Sequence, residues 1–267
     1  PMNVIKAGID GSRYLKNGNL INIPYEKVFT DLKKIRLSKN FTYEGYPNRD
    51  SLKYKKLYGL DNINTLIRGT LRHPGFCKAW NILVKLGLTD DSNFFKKEGN
   101  ISYLDFFKHK INLDSDQSIK NYLSERFSID ESSQAFKNLS WSNFFSKKTI
   151  SPLNKKHSEI LLEILKDKWS LEKHDIDLVV MYHSFIYREK NNLKKLESFM
   201  RLEGTNNFDT AMSKTVGLPI ALLIETIINN NLKFKGVLLP FDKIIYDPLL
   251  EKLSNNGIIF ENRITKT

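Results

Sequence analysis

The chain has 267 residues, 40% of them hydrophobic and 12% aromatic, with one cysteine and a formal net charge of +12. That apolar content excludes general disorder. The lone Cys77 excludes an internal disulfide and suits a reducing, cytoplasmic compartment. No uninterrupted apolar run approaches the ~18 residues of a membrane span; the longest, Val216 to Ile228, is broken by Pro219 and Glu225. The start lacks the layout of a signal peptide. A basic surface attracts polyanions. Here, however, the lysines fall in scattered pairs such as Lys33-Lys34, Lys55-Lys56 and Lys96-Lys97, interleaved with acids. That pattern reads as a solvated surface and disfavours a nucleic-acid-binding module.

Residues up to about Thr70 are mixed. Val4-Ile5-Lys6-Ala7 is a short candidate strand, and NLINIPYEKVF and NFTYEGYP read as extended segments bounded by Asn, Gly and Pro. The turn-prone PNRDS, Pro47 to Ser51, follows, and Asn48 and Asp50 are suited to hold such a turn by side-chain-to-backbone bonds. Arg49 is either a solvated surface arginine or one that offers its planar fork to a carboxylate, two parallel N–H donors matching two oxygens. A second cluster, RGTLRHPG, begins at Arg68. Gly69 permits close approach to the backbone, and Thr70 offers N–H and hydroxyl donors. Arg68 and Arg72 share a face whether the segment is helical or extended. The cluster is either a carboxylate or phosphate cradle or the charged flank of a helix entrance.

From Phe76 the period becomes helical. Phe76, Ala79, Trp80, Leu83 and Val84 recur at three-to-four spacing, and Gly87 is a C-terminal stop. Ser102 with Asp105 is a capping-box pattern, and Ile119, Tyr122, Leu123 and Phe127 form another face. Pro152 is placed for a first helical position. Ile160, Leu161, Ile164, Leu165 and Trp169 mark a further helix. Residues 74–170 therefore read as an all-helical insertion.

Strand character returns with DLVVMYHSFIYRE, and LKKLESFMRLEGT follows at hairpin distance. FDTAMSKTVGLPIALLIETIINN is a helix too apolar for exposure, so it is expected to be largely buried, with a packing kink at Gly217-Leu218-Pro219. KGVLLPF and GIIFENRI read as final strands around a short helix, DPLLEKLSNN. The fold class is α+β. A mixed-sheet domain of residues 1–73 and 171–267, in which early and late segments share a sheet, is interrupted by the insertion.

Several chemistries leave no trace. No G-x-G-x-x-G occurs, Gly8 and Gly11 being the nearest thing, and there is no P-loop and no G-x-S-x-G. His73, His109, His157, His174 and His183 form no metal-ligand spacing with Cys77 or carboxylates. His183 lies in an apolar strand, where a satisfied sheet histidine is the plainer reading than a base.

EGYPNRDSLKYKKLYGL, then TLIRGTLRHPGFCKAWNILVKLGLTDD, then AMSKTVGLPIALLIE resemble the saccharopine dehydrogenase family, its NADP-dependent, L-glutamate-forming members in particular. The resemblance runs through nearly the whole chain and is weakest over 93–151. It implies an enzyme of lysine metabolism that interconverts saccharopine with glutamate and aminoadipate semialdehyde by hydride transfer with NADP(H). It also implies a three-part design: a dinucleotide-binding domain, a substrate and dimerisation domain, and a helical insertion. This chain is similar to the second and third, so the cofactor domain is expected before Pro1, in keeping with the missing glycine fingerprint. Met2 departs from the family at a position usually held by arginine.

By the same resemblance Arg49, Thr70, Leu71 and Arg72 contact saccharopine. They orient a substrate that carries three carboxylates and a secondary amine, and no catalytic base is assigned in this chain. A homodimer is also implied, with LVVMYHSFIY supplying an apolar face. A rival within related folds is an imine-reducing enzyme of polyamine metabolism, of the homospermidine or carboxynorspermidine type. Its site would be richer in acids.

Overall fold

The computed structural model describes residues 2–7, 9–96, 98–114, 118–152, 154–230 and 232–266. Pro1, Gly8 and Lys97, named above, lie outside them. By contacts the chain divides into two compact units, Pro1–Ser170 and Leu171–Thr267.

The first unit opens with α1 (Met2–Ile5), β1 (Ser12–Lys16), β2 (Asn19–Ile23), α2 (Tyr25–Val28), β3 (Lys33–Arg36), β4 (Thr42–Pro47), β5 (Arg49–Asp50), α3 (Lys53–Leu57) and β6 (Gly69–Arg72). These strands make two three-stranded sheets, in the orders β2-β1-β5 and β3-β4-β6. Lys16 pairs with Asn19, so β1 and β2 are joined by Asn17-Gly18, with φ of 52° and 79°. Two successive positive φ values are what a tight hairpin turn matching the strand twist requires, and Asn-Gly supplies them at least cost. Val4-Ile5, expected in a strand, lies in helix α1. Ile5 is fully buried there, so a hydrophobic contact outweighs β-propensity in so short a segment.

The rest of the unit is α4 (Phe76–Lys85), β7 (Ile101–Ser102), α5 (Tyr103–Lys110), α6 (Ile119–Phe127), α7 (Gln134–Trp141), β8 (Thr149–Ile150) and α8 (His157–Trp169). Helix α4 ends as expected. The Gly87 and Leu88 N–H groups donate back to Val84 and Leu83 carbonyls at 2.9 and 3.0 Å, with Gly87 at φ 66°, a Schellman closure. The Ser102 hydroxyl accepts from the Asp105 N–H at the start of α5. Two expectations fail. The β7–β8 pair shows that the block is not all helical. Helix α8 starts at His157, capped by the Lys156–Glu159 pair, and Pro152 lies upstream of it.

One core joins these helices to the preceding strands. It includes Ile5, Val28, Phe29 and Tyr46 together with Trp80, Phe106, Phe107, Leu123, Leu139 and Leu161, all buried. Each fully buried Leu or Phe contributes about 1.5–3 kcal/mol. That shared core places residues 1–73 in one unit with the helices.

The second unit holds β9 (Leu178–Glu189), β10 (Asn192–Glu203), α9 (Ala211–Asn229), α10 (Lys243–Asn255) and β11 (Glu261–Lys266). Its sheet runs β11-β10-β9, and β9 pairs with β10 from Leu178↔Glu203 to Glu189↔Asn192. Among the described residues no sheet contains both early and late strands, so the expected shared sheet is not formed. KGVLLPF is not a strand, and Val237 within it is fully exposed.

Helix α9 is continuous through Pro219. The Asp177 carboxylate accepts from the Ala211 and Met212 N–H groups at 2.6 and 2.8 Å, and the Thr210 hydroxyl accepts from the Ser213 N–H. These bonds serve the orphan donors of its first turn. The expectation that α9 is buried is overturned. Leu218 and Leu222 pack on Met200, Leu253 and Ile258, but Met212, Val216, Ile220, Ile224 and Ile228 are exposed. This one helix is long and apolar enough to cross a membrane by length and composition.

Candidate functional site

The two arginine-bearing clusters meet. The Asn48 N–H donates to the Arg68 carbonyl at 3.0 Å, and the Arg68 N–H donates to Ser51 Oγ at 2.9 Å. Asn48 Nδ2 donates to Thr70 Oγ1 at 2.9 Å. Asn48 therefore bonds across to the next strand and does not close its own turn, as had been expected. Asp50 does the local work, its carboxylate accepting from the Leu52 N–H at 2.8 Å ahead of α3.

Strand register sets which side chains share a face. Glu44 lies opposite Arg72, Tyr46 opposite Thr70, and Pro47 opposite Gly69. Alternation then puts Arg68, Thr70 and Arg72 on one face with Glu44, Tyr46 and Asn48. Leu71 projects to the other, where its Cδ2 would lie 3.3 Å from a Cβ added at Gly45.

The Asn48–Arg68 bond also fixes the ladder's phase. In antiparallel pairs, opposed residues alternate between exchanging hydrogen bonds and not. Pairs 48:68, 46:70 and 44:72 face inward, so the Gly69 and Leu71 peptide groups face the open side of β6, an edge strand. Gly69 is required by close approach: a Cβ there would meet the Tyr46 carbonyl oxygen at 2.7 Å.

Arg49 sits at φ 57°, a left-handed conformation that costs a non-glycine residue about 1–3 kcal/mol and clusters at binding sites. It is held there by β5 pairing with β1, Ser12 opposite Arg49, and by the Ser12 hydroxyl donating to its carbonyl. Its side chain is exposed. The Arg68 guanidinium lies 4.3 Å from the Tyr54 ring centroid, and that of Arg72 lies 5.0 Å from the Phe76 centroid. Such stacking leaves the guanidinium edge available to an anion.

The Tyr46 phenol is raised by burial, a shift opposed by Arg72 and by hydrogen bonding with Thr70. It stays neutral and links the two residues. Arg72 Nε is buried without a hydrogen-bond partner. Among the described residues none of the ion pairs involves Arg49, Arg68 or Arg72.

The nearby acids are engaged elsewhere. The Glu44 carboxylate accepts from the Gly75 and Cys77 N–H groups at 2.8 and 3.2 Å, at the start of α4. Burial, aided by Glu44, pushes the Cys77 thiol up, so it stays protonated. A cavity of about 400 Å³ lies beside Arg72, walled mainly by Phe76, Trp80, Leu139, Trp141 and Trp169. Arg72 thus stands between a polar sheet face and an apolar hollow. His183 stacks on Phe185 at 6.2 Å and lies tilted against Phe260 at 5.9 Å, and its desolvation lowers its pKa. No group of three or more His, Cys, Asp or Glu suited to a metal occurs among the described residues.

The structure thus gathers Arg49, Thr70, Leu71 and Arg72 around one strand edge and one loop. Sequence reasoning missed Glu44, Tyr46 and Tyr54. For the first two the signal was present, since the period of two in YEGYPN places Glu44 and Tyr46 on the face of Asn48.

The fold is α+β, and its candidate site is a cationic, hydroxyl-bearing strand edge beside acids held by backbone N–H groups. A family model described as the saccharopine dehydrogenase C-terminal domain matches residues 1–258, and the chain belongs to that family. It is 29% identical over 271 residues to the mitochondrial alpha-aminoadipic semialdehyde synthase of Rattus norvegicus, covering 99% of this chain and 29% of that protein. It is 28% identical over 261 residues to saccharopine dehydrogenase [NADP(+), L-glutamate-forming] of Pyricularia oryzae, covering 94% of this chain and 57% of that protein. The solved saccharopine dehydrogenase (L-Glu forming) of Saccharomyces cerevisiae superimposes with a TM-score of 0.84 at 25% identity, over 99% of this chain and 61% of its own. The chain therefore spans less than two-thirds of each of these relatives.

Proposed function

We propose that this chain is the substrate-binding and dimerisation part of a saccharopine dehydrogenase, a cytoplasmic NADP(H)-dependent oxidoreductase that interconverts saccharopine with glutamate and aminoadipate semialdehyde. The observation that carries this reading is the gathering of Arg49, Thr70, Leu71 and Arg72, with neither arginine engaged by a carboxylate of the described chain. Arg49 and Arg72 clamp substrate carboxylates by paired N–H donors. The Thr70 hydroxyl and the edge-facing Leu71 peptide supply shorter polar contacts. Together they hold the carbon bonded to the secondary amine in the orientation that hydride transfer requires.

NADP(H), when bound, gives or takes that hydride. The residues of this chain do not fit a dinucleotide: there is no glycine-rich strand-to-helix turn, and the cationic edge is flanked by stacked aromatics. The cofactor's cradle is assigned to the part of the protein beyond this chain. The engagement of Glu44 and Asp50 with backbone N–H groups disfavours a polyamine substrate. The exposed apolar stripe of α9 is the surface proposed for the homodimer.

The test is saccharopine kinetics in the full-length enzyme. Arg49→Ala and Arg72→Ala are each expected to raise KM by about 10–100-fold, the worth of a charged hydrogen-bonded contact. Unchanged KM and kcat in both variants would sink the reading.

A further inference from the structure

Arg68 is the cation at this edge that the reading above leaves without a role. It shares a face with Thr70 and Arg72 by strand alternation, and its backbone is fixed on both sides by Asn48 and Ser51. Its guanidinium is held over Tyr54, and it forms no ion pair with a carboxylate among the described residues. A cation stacked on a ring loses less side-chain freedom on binding than a solvated one, so it is pre-organised for an anion. Tyr54 is itself placed by the short helix α3, whose start Asp50 holds. The residue that follows Arg49 therefore also sets the platform for Arg68.

The proposed substrate has three carboxylates, and the clamp of Arg49 and Arg72 accounts for two. We infer that Arg68, resting on Tyr54, binds the third carboxylate and selects a tricarboxylate over shorter amino acids; this rests on the substrate reading given above. Arg68 and Arg72 stand four strand residues apart, about 13 Å between their Cα atoms at the usual rise, so an extended substrate can lie along β6 between them. The Leu71 edge peptide and the Thr70 hydroxyl fall within that span.

The experiment uses the full-length enzyme. It measures Arg68→Ala, Arg68→Lys and Tyr54→Leu beside Arg49→Ala and Arg72→Ala, with saccharopine and each of its three monoamides as substrates. Arg68→Ala is expected to raise the saccharopine KM by about 10-fold or more, with Arg68→Lys partly restoring it and Tyr54→Leu intermediate. The Arg68→Ala penalty should vanish against one monoamide and persist against the other two. A penalty equal against all three monoamides marks a structural role and overturns the inference. A normal KM in Arg68→Ala, with Arg49→Ala and Arg72→Ala impaired, overturns it too while leaving the substrate reading intact. No effect from any of the three arginine-to-alanine variants overturns both. Arg68→Lys keeps the charge, so the comparison survives if the alanine variant does not fold.

Discussion

Asn48 Nδ2 donates to Thr70 Oγ1 across 2.9 Å, tying the loop that carries Arg49 to the strand that carries Arg72. Thr70→Val keeps the shape and removes the acceptor. Asn48 Oδ1 is already buried without a partner, so the amide would then lose its remaining good contact. The expected cost is about 1 kcal/mol of stability, together with a raised saccharopine KM because the Thr70 hydroxyl contact is lost and Arg49 loses its fixed position. Urea unfolding and steady-state kinetics on one preparation check both. A stability loss with unchanged KM would separate the bond from the site.

Gly69→Ala tests the strand's close approach. The added Cβ would meet a backbone oxygen, that of Tyr46, at 2.7 Å, and a backbone atom cannot swing aside as a side chain can. The β4–β6 ladder must part locally, at an expected cost of about 1–3 kcal/mol. Thermal unfolding reads this directly. A change below about 0.5 kcal/mol, the size of an ordinary surface substitution, would show that β6 has slack.

Asp177 carries two N–H donors of α9 on one carboxylate. Asp177→Ala should cost about 1–2 kcal/mol, as capping residues do. Amide exchange should rise first at Ala211 and Met212, with β9 and β10 protected. Uniform loss of protection across the unit would mean that the contact is global and not a cap.

The Asp90 carboxyl is pulled down to about 2, chiefly by the Ser92 hydroxyl, which donates at 2.6 Å. Asn93 Nδ2 donates to its other oxygen, and the Asp90 carbonyl accepts from the Ser158 N–H in the first turn of α8. A carboxylate whose folded pKa lies below its unfolded value of about 3.9 adds stability at higher pH. Its contribution is complete above about pH 4 and lost as pH falls toward 2. Asp90→Asn should therefore destabilise the protein at pH 6 and make little difference at pH 2. Equal effects at both pH values would remove the charge from the explanation.

Much of this was legible in the sequence because it is local. The three-to-four spacing from Phe76, the Gly87 stop and the Ser102 cap each depend on a few neighbouring residues, and the structure has them. The long hairpin of β9 and β10 was legible for the same reason. The separation of early strands from late ones was not, since sheet partners are chosen by contacts across the fold, and Tyr46 with Phe29 commits the first strands to the helical core. Val4-Ile5 shows the same override on a smaller scale. At the site, the arginines stood out as residue types. Glu44 and Tyr46 were visible only through the alternation of β4, and Tyr54 only through the stacking of Arg68. Helix α9 misled because its composition suits burial, whereas burial also depends on what covers its outer face.

Met212, Val216, Ile220, Ile224 and Ile228 repeat every fourth residue, and each is more than half exposed. Residues on the inner side, Leu218 and Leu222, pack within their own unit. A stripe of this length left in water is a liability unless a partner covers it, and a second copy of the chain would bring an equal stripe to a two-fold contact. Ile220→Glu with Ile224→Glu should leave the monomer fold unchanged, because neither side chain contributes to the core. If the stripe forms the homodimer, burying two charges per chain should weaken association by about 100-fold or more. Sedimentation equilibrium of the full-length enzyme would then show a shift from dimer toward monomer at micromolar concentration, with unfolding unchanged. A variant that remains a dimer at all concentrations would move the interface away from α9, and a parent protein that is monomeric would remove it altogether.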